Sequence, residues 1–192
     1  DGGLYHGKPV TEKEKFLKEI AIWSTSATGL PAPFIVLDYL LFYPFIDQGS
    51  ADQQDLTNSA TLPRYTDGKG VRVMCVNVAS GAGGQTFRFT YTNSEGVGGR
   101  VSQTMLLNTS AAIGTIATSQ LIGNATSGPF CGLQIGDSGV RSIESVTMIS
   151  GTDVGLFTLV LVKPIVFIQL FEQTAPAEKN LYKDNTRFER IY

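Results

Sequence analysis

A chain of 192 residues is long enough to bury a core without disulfides or metals, and short for two full domains. With 15 basic and 17 acidic residues the net charge is −2. The densest basic stretch, Lys13, Lys15 and Lys18, alternates with Glu12, Glu14 and Glu19 as a solvated face does, so no phosphate-tracking surface and no nucleic-acid partner are expected. Charged residues make up only 17% of the chain, so Ser, Thr, Asn, Gln and Gly must cover much of the surface, as in β-rich proteins that pack against neighbours.

Residues 1–33 read as an arm containing one helix. Thr11 and Glu14 form a capping-box pair, and Phe16, Ile20 and Trp23 share one helical face, which predicts a helix from about Glu12 to Trp23. Small residues, Gly29, Pro31 and Pro33 then break it. The polar N-terminus has no apolar signal segment, and because the chain does not start with Met it reads as a processed form or a stretch of a longer chain.

Residues 34–171 read as a β domain. The run Phe34 to Ile46 is too short to span a membrane, and its aromatic and β-branched content predicts a buried strand that Pro44 either ends or places at an edge. Val71 to Val78 and Thr86 to Thr92 alternate with a period of two, the second placing Phe87, Phe89 and Tyr91 on one face that should be buried. Asn93-Ser94-Glu95-Gly96 is a hairpin turn. Further strands are predicted at Arg100 to Asn108, Ala111 to Ser119, Phe130 to Gln134, Val140 to Ile149 and Leu156 to Phe171, the last divided by Lys163 and Pro164 into two core strands rather than forming a membrane helix. Short strands separated by turn residues predict an antiparallel β-sandwich, jelly-roll-like in arrangement. Residues 172–192 turn polar and read as a C-terminal arm.

Motifs that carry chemistry are few. Gly136-Asp137-Ser138-Gly139 has the look of a protease nucleophile string, but that chemistry needs a histidine base, and the sole histidine is His6 in the N-terminal arm. A turn between two strands is the expectation. The glycine clusters at 68–70, 81–84 and 96–99 lack the spacing and the following helix of a phosphate loop. Asp47, Asp52 and Asp55 share a polar loop without an EF-hand pattern. Glu95, Asp137, Glu144 and Asp153 lie in or near turns, and sequence cannot pair them for glycoside hydrolysis. Cys75 and Cys131 sit in apolar runs and read as buried thiols, with a single bridge left open. No catalytic residue, metal or cofactor is expected. Tyr39, Phe42, Tyr43 and Phe45 crowd one segment, with Tyr65 in a later turn; either core packing or a subunit contact accounts for such a cluster.

Four stretches together resemble a group of tailed-bacteriophage virion structural proteins: PAPFIVLDYLLFYPFID (31–47), LPRYTDGKGV (62–71), GDSGVRSIESVTMIS (136–150) and GLFTLVLVKP (155–164). The resemblance covers most of the chain, and in that group the chain continues past the position of Tyr192. It implies a virion component, head-associated, decoration or cement or minor capsid, that packs against the major capsid protein or neighbouring subunits and forms homo-oligomers, with no membrane involved. Such a subunit would use side chains of its arms and its aromatic segment: Leu4, Tyr5, Phe16, Trp23, Tyr43, Leu181, Tyr182, Phe188 and Tyr192. The alternative is a carbohydrate- or receptor-binding β module of a tail or fibre, which would need Phe87, Phe89 and Tyr91 exposed.

Overall fold

The computed structural model describes residues 15–56, 60–109, 112–117, 120–121, 128–180 and 190–191. Among these, every regular element is a strand and the sheets are antiparallel. The strands are β1 Lys15–Phe16, β2 Glu19–Ile22, β3 Ala32–Phe42, β4 Ile46–Asp47, β5 Gln54–Asp55, β6 Arg72–Ala79, β7 Thr86–Asn93, β8 Arg100–Val101, β9 Met105–Leu106, β10 Gln120–Leu121, β11 Val140–Ser150, β12 Leu156–Leu170, β13 Ala177–Asn180 and β14 Arg190–Ile191. They fall into two compact units, one of Tyr39–Pro164 and one of Asp1–Asp38 with Ile165–Tyr192; β3 and β12 contribute residues to both.

In the 39–164 unit, one sheet runs β10-β9-β7-β11-β5, with β8 also on β7, and a second has β12 between β3 and β4 on one side and β6 on the other. Both sheets bury side chains in one cluster, including Phe87, Phe89 and Tyr91 from β7, Ile143 and Val146 from β11, Val73 and Cys75 from β6, and Phe157, Leu159 and Leu161 from β12. The Phe87 and Phe157 rings lie 4.9 Å apart across it, within the range in which aromatic pairs attract. The alternating faces read for β6 and β7 are therefore in place, and Phe87, Phe89 and Tyr91 are buried as expected.

Three expected strands are replaced. Arg100 to Asn108 is broken into β8 and β9, because the register along β7 slips by one residue between Thr90↔Val101 and Phe87↔Met105; Ser102 bridges the slip by exchanging bonds with the Phe89 backbone. The described part of Ala111 to Ser119 and the segment around Cys131 are loops instead. They cover the edge of β6 that faces away from β12: Asn77 N–H donates to the Thr115 carbonyl, Ala117 N–H to Cys75, and Cys131 N–H to Val73, each 2.8 Å. These bonds satisfy a sheet edge without a strand.

Lys163-Pro164 does not divide Leu156 to Leu170, which is one strand. Tyr43 N–H donates to the Leu159 carbonyl at 3.0 Å, so Leu159 and every second residue from it point their backbone groups toward β3 and β4. Pro164 belongs to the other set, on the β6 side, where β6 already ends opposite Val162. Its missing N–H thus costs no ladder bond.

The unit formed by the chain ends contains the pairs β1–β14 and β2–β13. Its core is small. Val166 and Ile168 of β12 are buried, with Leu17, Ile20, Ile22, Val36, Ile165 and Ala177 partly buried against them. The helix expected over Glu12–Trp23 is a correction: Lys15–Phe16 and Glu19–Ile22 are strands, and residues 1–14 lie outside the described residues. Phe16, Ile20 and Trp23 do fit a helical stripe. Ile20 and Ile22 also alternate, and pairing with Ala177–Asn180 turns that alternation inward while giving the backbone an interstrand partner.

Candidate functional site

The densest polar constellation lies in the 39–164 unit, around Asp137. The turn after Gln134 carries this carboxylate to the ends of β7 and β8. Tyr91 Oη donates to its Oδ2 at 2.5 Å and Asn93 Nδ2 to its Oδ1 at 2.9 Å. The Arg100 guanidinium grips both oxygens, Nε to Oδ2 and Nη2 to Oδ1, at 3.1 Å each. The Asp137 side chain is only 5% exposed. Burial by itself pushes the carboxyl up, but the bonds from Arg100, Tyr91 and Asn93 and the charge of Arg100 outweigh it and hold Asp137 below the usual carboxylate range. Conversely, burial and the bond to Asp137 push the Tyr91 hydroxyl up to about 12. Tyr91 Oη in turn accepts the Gln134 N–H, and Asn93 Oδ1 accepts the N–H groups of Glu95 and Val97. With its donors saturating both carboxylate oxygens, Asp137 works as a fastener of the 94–99 and 134–139 loops.

The same turn meets the 62–71 loop at close quarters. Lys69 and Gly139 form a β-bridge, Gly70 N–H donates to the Ser138 carbonyl, and Arg141 reaches the carbonyls of Asp67 and Ser94. A Cβ on Gly139 would stand 2.0 Å from the Gly68 carbonyl oxygen, and one on Gly68, whose φ is +71°, would stand 2.6 Å from that of Val140. Glycine is required at both places by contact. Ser138 Oγ shares a hydrogen bond with Ser94 Oγ, and His6 lies outside the described residues. Glu144 accepts from Thr92 Oγ1 and from Gly99 N–H.

The aromatic segment divides. Tyr43 is wholly buried; its hydroxyl accepts the Ile143 N–H at 2.7 Å and its carbonyl accepts from Thr158, so it is a core side chain. Its neighbours Tyr39, Phe42 and Phe45 are exposed, each by more than half. Tyr65 is half-buried with Lys163 Nζ 5.1 Å above its ring. In the terminal unit Trp23 is exposed, as are Phe34, Phe167 and Phe171, three residues not singled out from the sequence. Phe167 and Phe171 could have been found by alternation from Val166 and Ile168. Phe16 is in β1, and Leu4, Tyr5, Leu181, Tyr182, Phe188 and Tyr192 lie outside the described residues.

Cys75 and Cys131 are free and buried. Burial pushes the Cys131 thiol up to about 12 and, with the charge of Cys131, holds Cys75 well above the usual thiol range. Among the described residues no group of three or more His, Cys, Asp or Glu side chains is placed to hold a metal ion, and Asp47, Asp52 and Asp55 do not converge into one. Asp47 Oδ1 instead accepts the Gly49 N–H. No helix among the described residues is long and apolar enough to cross a membrane. Comparison with protein-family models, with curated proteins and with solved structures returns no match.

Proposed function

We propose that this chain is a structural subunit of a tailed-phage virion, a head-associated decoration, cement or minor capsid protein that works by packing against neighbouring subunits rather than by catalysis. The observation that carries the reading is the surplus of exposed aromatic surface: Tyr39, Phe42 and Phe45 in one unit, and Trp23, Phe34, Phe167 and Phe171 in the other. Scattered exposed apolar residues are ordinary on a protein surface, but seven aromatics, six of them on two segments, Phe34 to Phe45 and Phe167 to Phe171, and the seventh Trp23, suit subunit contacts. The string resemblance at 31–47, 62–71, 136–150 and 155–164 supports the virion assignment. On this reading the two sheets of the 39–164 unit are the halves of a jelly-roll-like sandwich, and the chain ends are arms that reach neighbours. Burial of Phe87, Phe89 and Tyr91 removes the face on which the glycan- or receptor-binding alternative depended.

Purified particles of the phage that encodes the chain provide the test. Mass spectrometry of such particles should recover the protein at a fixed stoichiometry to the major capsid protein, and deleting residues 1–10 and 180–192 should lower incorporation or particle stability. Absence from the particles, or deletions without any effect on assembly, would sink the reading.

A further inference from the structure

Past Val162, the side of β12 that β6 occupied carries no strand among the described residues. By the alternation that turns Leu159 toward Tyr43, the backbone groups of Val166, Ile168 and Leu170 point to this open edge. The segment there, Ile165 to Phe171, reads Ile-Val-Phe-Ile-Gln-Leu-Phe: no charge, no proline, and β-favouring at nearly every position. Edges of this kind are usually blocked by Lys, Pro, a bulge or shortness. The only blocking residues here, Lys163 and Pro164, stand at the upstream limit of the segment. On the face opposite the buried Val166, Ile168 and Leu170, Phe167 is 62% and Phe171 70% exposed, on either side of Gln169.

We infer that this edge pairs with the same edge of a second copy of the chain, antiparallel about a twofold axis at Ile168. A twofold contact requires a surface complementary to itself, and the segment meets that requirement. Centring on Ile168 sets Val166 against Leu170 of the second copy in the positions that exchange backbone bonds, about six bonds in all. On the exposed face it sets Phe167 beside Gln169 and Phe171 beside Ile165, so each ring gains an uncharged neighbour. A charged partner finds nothing to pair with in the segment, whereas an identical one finds a match at every position. At about 200 Å² per phenylalanine side chain, the four rings of a pair cover roughly 500 Å² of exposed aromatic surface. The strand backbones add to this, placing the contact at the low end of specific interfaces, near ~1,200 Å² in total. The inference rests on the reading of the chain as a packing subunit and names its first partner.

Sedimentation velocity over a concentration series tests it on the full chain. The wild type should dimerise. Gln169→Lys, which sets a charge beside Phe167 of the second copy and two like charges diagonally across the pair, about 7–8 Å apart, and touches no buried side chain, should weaken dimerisation roughly fivefold, a change of about 1 kcal/mol. Phe167→Cys with Gln169→Cys, neighbours across the proposed pair, should yield a covalent dimer on mild oxidation with a disulfide-forming reagent such as oxidised glutathione. The native Cys75 and Cys131 are buried and stay out of this reaction. Near-UV circular dichroism unchanged in both variants shows that the fold is kept. A wild type that stays monomeric across the series overturns the inference, and so does a dimer that Gln169→Lys leaves intact. Either result leaves virion incorporation to stand on its own test. A chain that dimerises as described yet is missing from the particles would overturn the proposed function and leave the edge pairing in place.

Discussion

The 39–164 unit and the unit made from the two chain ends use the same material, antiparallel strands with alternating apolar side chains, and bury it to different extents. The first closes most of its apolar side chains into a large core, with Phe87, Tyr91, Phe157, Leu159 and Leu161 all but inaccessible and the outer edge of β6 covered by loops, and leaves Tyr39, Phe42 and Phe45 outside. Among its described residues the second buries few large apolar side chains, Val166, Ile168 and Leu170 of β12, and leaves Trp23, Phe34, Phe167 and Phe171 in solvent. Burial of apolar area stabilises by roughly 25 cal/mol per Å², so the unit that buries more should be the more resistant to opening. The contrast teaches that one chain can concentrate most of its buried apolar area in a single unit and hold the other with a much smaller core.

The largest effect expected from breaking that contrast is in the core. Phe157→Ala removes a ring in contact with Phe87 and should cost about 3–5 kcal/mol by denaturant unfolding; a loss under ~1 kcal/mol would mean that the two sheets do not share a packed interior. Next comes the fastener. Asp137→Ala strands the Tyr91 hydroxyl and the Asn93 amide and should cost about 2–3 kcal/mol. Because the folded-state carboxyl is held below its ordinary value, its contribution is complete above that ordinary value, about 3.9, and is lost as pH falls through the lower folded one. Asp137→Asn should therefore flatten the stability profile below about pH 4, and a variant whose acid limb matches the wild type would refute the assignment. At the alkaline end the sign is reversed. The protonated Tyr91 hydroxyl contributes fully below the ordinary tyrosine value of about 10, and its contribution disappears as pH rises toward the folded value of about 12.

Tyr43→Phe removes the acceptor for the buried Ile143 N–H and should cost about 1–3 kcal/mol, read as a lower Tm. Smallest of all, Phe171→Ser on the outer face of the terminal unit should change stability by no more than about 0.5 kcal/mol. Hydrogen exchange would sharpen the comparison without any substitution: the amides of β2 and β13 should exchange well before those of β6 and β7. Equal protection would show that the small core has been undervalued.

Much of the larger unit was legible because its strands announce themselves one residue at a time. Val71 to Val78 and Thr86 to Thr92 alternate cleanly, and a face holding Phe87, Phe89 and Tyr91 has only one economical place to go. What stayed hidden depended on residues far apart. Nothing local marks the slip that splits Arg100 to Asn108, since it is set by the match to β7. The loops around Ala117 and Cys131 have strand-like composition because they lie against a strand, not because they are strands. The stretch holding Phe16, Ile20 and Trp23 satisfied helical spacing, and only pairing with Ala177–Asn180 decided otherwise. The Asp137 cluster gathers Tyr91, Asn93 and Arg100 from 46, 44 and 37 residues away, with an acidic residue in a glycine-flanked turn as its sole local hint.

The stretches 62–71 and 136–150 come together at Gly68 and Gly139. They are two halves of a single contact in which each leaves no room for a side chain on the other. Neither half can drift alone. A substitution at Gly139 calls for a compensating change across the contact, so in diverging descendants the two strings should change together or not at all, while the exposed aromatics vary with whatever they touch.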